Sequence, residues 1–104
     1  MTVMYVNKQL ESYNNYMGLE MYPEALDSLI KGLKRYEKYI EHAENLGIKS
    51  DLDYVRKHML TELKRKFNLS EKRAMKLVSM KDQTKYSIKI YDIVLENIAD
   101  FQKD

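Results

Sequence analysis

Five stretches of this chain repeat large apolar residues every three or four positions, the spacing at which side chains share one face of an α-helix. The first is Val3, Val6, Leu10, Tyr13 and Met17, with Gly18 placed to cap its end. In the second, Pro23 suits a first helical turn, and Leu26, Leu29, Ile30, Leu33, Tyr36, Ile40 and Ala43 keep the period until Gly47. That spacing predicts a helix about 36 Å long at ~1.5 Å per residue. Gly32 inside it costs about 1 kcal/mol against Ala, so a close neighbour is expected there.

Ser50 followed by Asp53 reads as a variant capping box for a third helix, with Leu52, Val55, Met59, Leu60, Leu63 and Phe67 on one face. Asn68 tolerates the left-handed conformation that stops it. Ser70 caps a short fourth helix with Ala74, Leu77 and Val78 inward. The last helix starts near Asp82 or Thr84 and runs to about Phe101. Its apolar residues, Tyr86, Ile88, Ile90, Tyr91, Ile93, Val94, Leu95, Ile98 and Phe101, go nearly all the way round, which predicts deep burial or an intermolecular contact. Residues 86 to 90 also alternate as a strand does, but no other segment offers a partner strand, so helix is expected.

These elements predict an all-α fold, a single domain over residues 1–104 built as one compact bundle of about five helices. Leu29, Leu33, Ile40, Leu60, Leu63 and Leu95 are its expected core. A chain of 104 residues can enclose one core but hardly two.

Composition narrows the setting. With no cysteine there is no disulfide framework and no thiolate metal site, which fits a reducing compartment. The longest aliphatic run, Ile93-Val94-Leu95, falls far short of the roughly 20 residues of a membrane span. The N-terminus shows no basic leader followed by an apolar stretch. A cytoplasmic protein with no membrane partner is expected. The tilt toward Lys, Ile, Asn and Tyr, with no Trp, fits AT-rich coding of the kind found in low-GC bacteria and their phages.

The net charge of +2 conceals an asymmetry. Residues 48 to 81 hold ten Lys and Arg against four Asp and Glu, and both flanks are net acidic. Within that segment, residues 63 to 78 (LKRKFNLSEKRAMKLV) place apolar residues at Leu63, Phe67, Leu69, Ala74 and Val78 around a turn at Asn68. This pattern resembles the helix-turn-helix of DNA-binding domains. The resemblance implies that Lys72, Arg73 and Lys76 face the major groove while Lys64, Arg65 and Lys66 contact phosphates. Two positions depart from it. Lys64 stands where a small residue is usual, and Glu71 would sit near phosphates.

Candidate chemistry is sparse. His58 with Glu62, Glu37 with Glu41, and His42 beside Glu41 and Glu44 are explained by exposed charge pairs on helix surfaces. Paired Glu-x-x-His motifs, as in di-iron bundles, are absent from the sequence. Arg35 and His42 match the loose Arg-x4-6-His spacing of all-helical HEPN ribonucleases, a remote alternative. No glycine-rich loop could cradle a phosphate. The expectation is a protein that is not an enzyme and takes no cofactor, metal or small-molecule substrate.

Nine Tyr and seven Met are many for so small a core, and both types are enriched at interfaces. Tyr13, Tyr16, Tyr36, Tyr39 and Tyr54 cluster in the first three helices. Arg56 falls by helical angle among Leu52, Leu60 and Leu63, so it must reach solvent, pair with an acid or enter an interface. The combined expectation is a small interaction or regulatory protein that binds another protein or itself as a homodimer through its first and last helices. Val3, Val6, Leu10, Tyr13, Tyr16 and Met17 are the expected interface, with DNA binding through residues 63 to 78 as the alternative.

Overall fold

The computed structural model describes residues 2–46 and 49–101, and the chain is all-α: α1 (Thr2–Gly18), α2 (Tyr22–Leu46), α3 (Lys49–Phe67), α4 (Glu71–Ser79) and α5 (Gln83–Phe101). Residues 86 to 90 are helical, in accord with their lack of a partner strand. Cα atoms extend over 43 × 30 × 19 Å.

The longest helix organises the rest. Between Ala25 and Tyr36, α2 buries Ala25, Leu26, Ser28, Leu29, Ile30, Leu33 and Tyr36, most of its circumference, and it touches all four other helices. The close neighbour expected at Gly32 is Met59 of α3: a Cβ at Gly32 would lie 2.9 Å from the sulfur of that fully buried side chain and closer still to its methyl. Any side chain at Gly32 therefore obliges Met59 to repack.

The stripe on α1 does not point outward. Val6 and Tyr13 are 1% exposed, and Leu10, Tyr16 and Met17 pack half-buried against the core, chiefly because α1 lies along α2. Val6 and Tyr13 are thus core residues and not the interface expected from the sequence; the side chain of Val3 lies outside the described residues. The reason is that α2 has more apolar circumference than α3, α4 and α5 together cover, and a short turn delivers α1 to the remainder.

Local signals explain three of the described helix ends and fail at two; Gly47, the expected end of α2, lies outside the described residues. Asn68 takes φ 52° after α3, and Ser70 caps α4, its Oγ accepting from the Arg73 amide at 3.3 Å. Asp82 does the same for α5, its carboxylate accepting from the Lys85 amide at 3.1 Å. Gly18 is not the left-handed cap of α1. Glu20 is, at φ 59°, with the Met21 amide donating to the Tyr16 carbonyl (2.8 Å) and the Glu20 amide to Met17 (3.1 Å). Ser50 and Asp53 form no capping box, because α3 begins at Lys49 and the Asp53 carboxylate accepts from the Tyr36 hydroxyl at 2.5 Å.

One contiguous core joins all five helices. Leu29, Leu33 and Leu63 are fully buried in it as expected, whereas Ile40 and Leu60 are only partly so. Leu95 does not belong to the core as expected: it is 65% exposed. At one end Phe101 stacks on Tyr22 (4.2 Å between centroids) and meets Phe67 edge-on (5.2 Å). Buried Asn97 donates its amide to the carbonyls of Phe67 (2.9 Å) and Ile93 (2.8 Å), which satisfies a carbonyl left open at the end of α3.

Candidate protein and nucleic-acid interfaces

The inward row of α5 consists of Tyr86, Ile90, Ile93, Val94, Asn97 and Phe101. At ~100° per residue, that placement turns Ile88, Tyr91, Leu95 and Ile98 to the opposite side. They are 56%, 56%, 65% and 38% exposed, a continuous row of large apolar side chains spaced three, four and three apart. Between Thr84, Ser87, Ile88 and Tyr91 the row opens into a shallow depression. Single exposed apolar residues are ordinary on protein surfaces, but a contiguous row is not. The other exposed large apolar residues are Met4 and Tyr54 and, in the turn after α1, Leu19 and Met21.

The basic residues form a second surface. Lys64, Arg65 and Lys66 occupy the last turn of α3, and Lys72, Arg73 and Lys76 lie on the exposed side of α4; all six are exposed except half-buried Lys66. The turn from Asn68 to Ser70 joins the two groups and is pinned by the buried Leu69. Glu71 is drawn into an ion pair with Arg56 (3.7 Å), whose guanidinium also approaches Glu37 (3.5 Å) and lies over the Tyr36 ring (5.3 Å). Arg56 thus ties α3 to α2 and α4, and Glu71 has a cationic partner. Beside this surface an apolar groove between α4 and α5, floored by Leu69, Leu77, Met80 and Ile93, is rimmed by Arg73, Lys76 and Lys89.

Of the residues with enzymatic spacings, Glu62, Glu37 and Arg35 are engaged elsewhere. Glu62 accepts from Tyr13 (3.1 Å) and Arg65 (3.2 Å), while His58 stands exposed. Arg35 sits over the rings of Tyr5 (4.0 Å) and Tyr39 (5.4 Å), joining α1 to α2. The side chains of Glu41, His42 and Glu44 lie outside the described residues. Among the described residues no three His, Cys, Asp or Glu side chains stand together in a group that could hold a metal, and no helix is long and apolar enough to cross a membrane.

Much of the tyrosine surplus is taken up inside. Tyr13 donates to Glu62 across α1 and α3, Tyr36 to Asp53 across α2 and α3, and Tyr86 to Asp27 (2.6 Å) across α5 and α2. Asp27 also holds Lys31 at 2.9 Å. These bonds join residues up to 59 positions apart, so no local pattern announces them. Burial, then the adjacent carboxylate, raises the hydroxyl pKa of all three: Tyr36 is pushed up to about 12, and Tyr13 and Tyr86 move in the same direction.

Each phenol holds its proton more tightly folded than unfolded, so its contribution is fully present below pH ~10, the unfolded value, and is lost as pH rises through the folded value. The melting temperature should be level from neutral pH to about 10 and fall steeply above it. Tyr86→Phe should melt lower at neutral pH, by about 1–3 kcal/mol for a hydrogen bond to a charged acceptor, and show a shallower alkaline fall. A wild-type profile flat to pH ~12 would contradict this assignment.

Comparison with protein-family models, curated proteins and solved structures finds no match to this chain.

Proposed function

We propose that this chain is a non-catalytic helical protein that works by docking another protein on the outer face of α5. The row Ile88, Tyr91, Leu95 and Ile98 carries the reading, since four large side chains left in water on one helix are the feature that a protein partner would cover. The α1 stripe contributes to the bundle instead. The absence of cysteine supports a cytoplasmic setting.

The test compares the wild type with the double variant Ile88→Asp/Leu95→Asp. Both positions are exposed, so the variant should keep its helical content and melt within about 1 kcal/mol of the wild type. Partners captured by the wild type should be absent with the variant. An identical set of captured proteins sinks the reading.

DNA binding is the second reading, favoured by one observation: a left-handed Asn68 and a capped α4 set two basic groups on either side of a tight turn, with Glu71 neutralised by Arg56. On this reading Lys72, Arg73 and Lys76 are the groups whose joint replacement by Ala abolishes duplex binding. Lys64→Ala/Arg65→Ala instead weakens all sequences alike and flattens the salt dependence. No affinity for duplex or single-stranded DNA at low salt removes the reading.

A further inference from the structure

Resting on the docking face just proposed, we infer that its occupant is a second copy of this chain, laid antiparallel so that the two α5 helices pair along Thr84, Ile88, Tyr91 and Leu95, with Ile98 just beyond the end of the seam. The spacing is that of a coiled-coil seam, in which apolar residues alternate three and four apart and each inserts between residues of the facing helix. Thr84 extends the same row by one turn. A single face meeting its own copy about a two-fold axis is the commonest way a small soluble protein closes an assembly.

Charge fixes the direction. Along the exposed flank of the row, Lys85 and Lys89 lie in the first half of α5, and Asp92 and Glu96 in the second. By helical angle Lys85 and Asp92 border the seam directly, with Lys89 and Glu96 one row behind. A parallel pair sets lysines against lysines and acids against acids. An antiparallel pair sets each half against its opposite and also opposes the two helix dipoles. The register that faces Ile88 with Tyr91 of the second copy faces Leu95 with its Thr84 and Lys85 with its Asp92, each twice by symmetry. One helix face is smaller than the roughly 800 Å² per partner of a standard interface, so the dimer is a concentration-dependent one.

Sedimentation over a concentration series tests the inference. Wild type should pass from monomer to dimer. Lys85→Glu/Lys89→Glu makes the flank wholly acidic, and Asp92→Lys/Glu96→Lys makes it wholly basic. Each variant alone should dimerise at least about ten-fold more weakly, and an equimolar mixture should recover association, since like charges repel across an interface and opposite ones attract. Direction is read separately in the otherwise cysteine-free chain. Oxidising a mixture of Thr84→Cys and Leu95→Cys should give the mixed disulfide, with little cross-link from either alone. This readout also serves if a charge variant folds poorly. A wild type that stays monomeric at its highest soluble concentration overturns the inference, as does cross-linking of each single variant to itself. If partner capture is still lost with Ile88→Asp/Leu95→Asp in that case, the docking face survives with a different occupant; if capture is unchanged, both readings fall.

Discussion

Phe67→Ala is expected to remove about 3–5 kcal/mol of stability, the range for truncating a buried aromatic residue. Phe67 is 1% exposed and sits where three helix ends meet: its ring touches Phe101 of α5, and Phe101 in turn stacks on Tyr22 at the start of α2. Losing the ring leaves a void and deprives Phe101 of one of its two aromatic partners. A chain of this length has on the order of 5–15 kcal/mol in total, so a large part of the margin rests on one side chain. Urea denaturation should show a lower midpoint with an unchanged slope. The backbone carbonyl of residue 67 still accepts from Asn97 in the variant, so the loss isolates the ring. A shift under about 1 kcal/mol would show that the aromatic end of the bundle contributes little.

Leu63→Ala should cost about 2–5 kcal/mol, and Leu95→Ala less than about 0.5 kcal/mol. Both are leucines in periodic apolar segments, and the sequence alone places both in the core. The structure separates them, Leu63 being fully buried in α3 and Leu95 mostly in water on α5. Leu95→Ala should instead weaken self-association while leaving the melting temperature of the dilute protein unchanged. Equal thermal losses for the two variants would mean that α5 is rotated from the orientation described above.

Apolar spacing and the few breakers delimit all five helices, because helix formation depends on residues three and four apart and on caps beside the ends. Ser70 and Asn68 act where their chemistry says they should. Gly18 misleads because it is the last helical residue of α1, and the left-handed residue falls two positions later in the turn, at Glu20. Neither Asn97, which closes the end of α3 from 30 residues away, nor the tyrosine-carboxylate bonds has a local signature.

The same division holds for the candidate surfaces. The basic residues of the α3-α4 unit and the all-round apolarity of α5 are legible in the chain alone, since both are properties of a single stretch. Which apolar faces were left over depends on the packing of distant helices. That packing drew the α1 stripe onto α2, gave Glu71 to Arg56, and left Ile88, Tyr91, Leu95 and Ile98 in solvent. Periodicity states that a helix has an apolar face; which face finds a neighbour depends on how much circumference distant helices cover, a long-range competition that no window of residues contains.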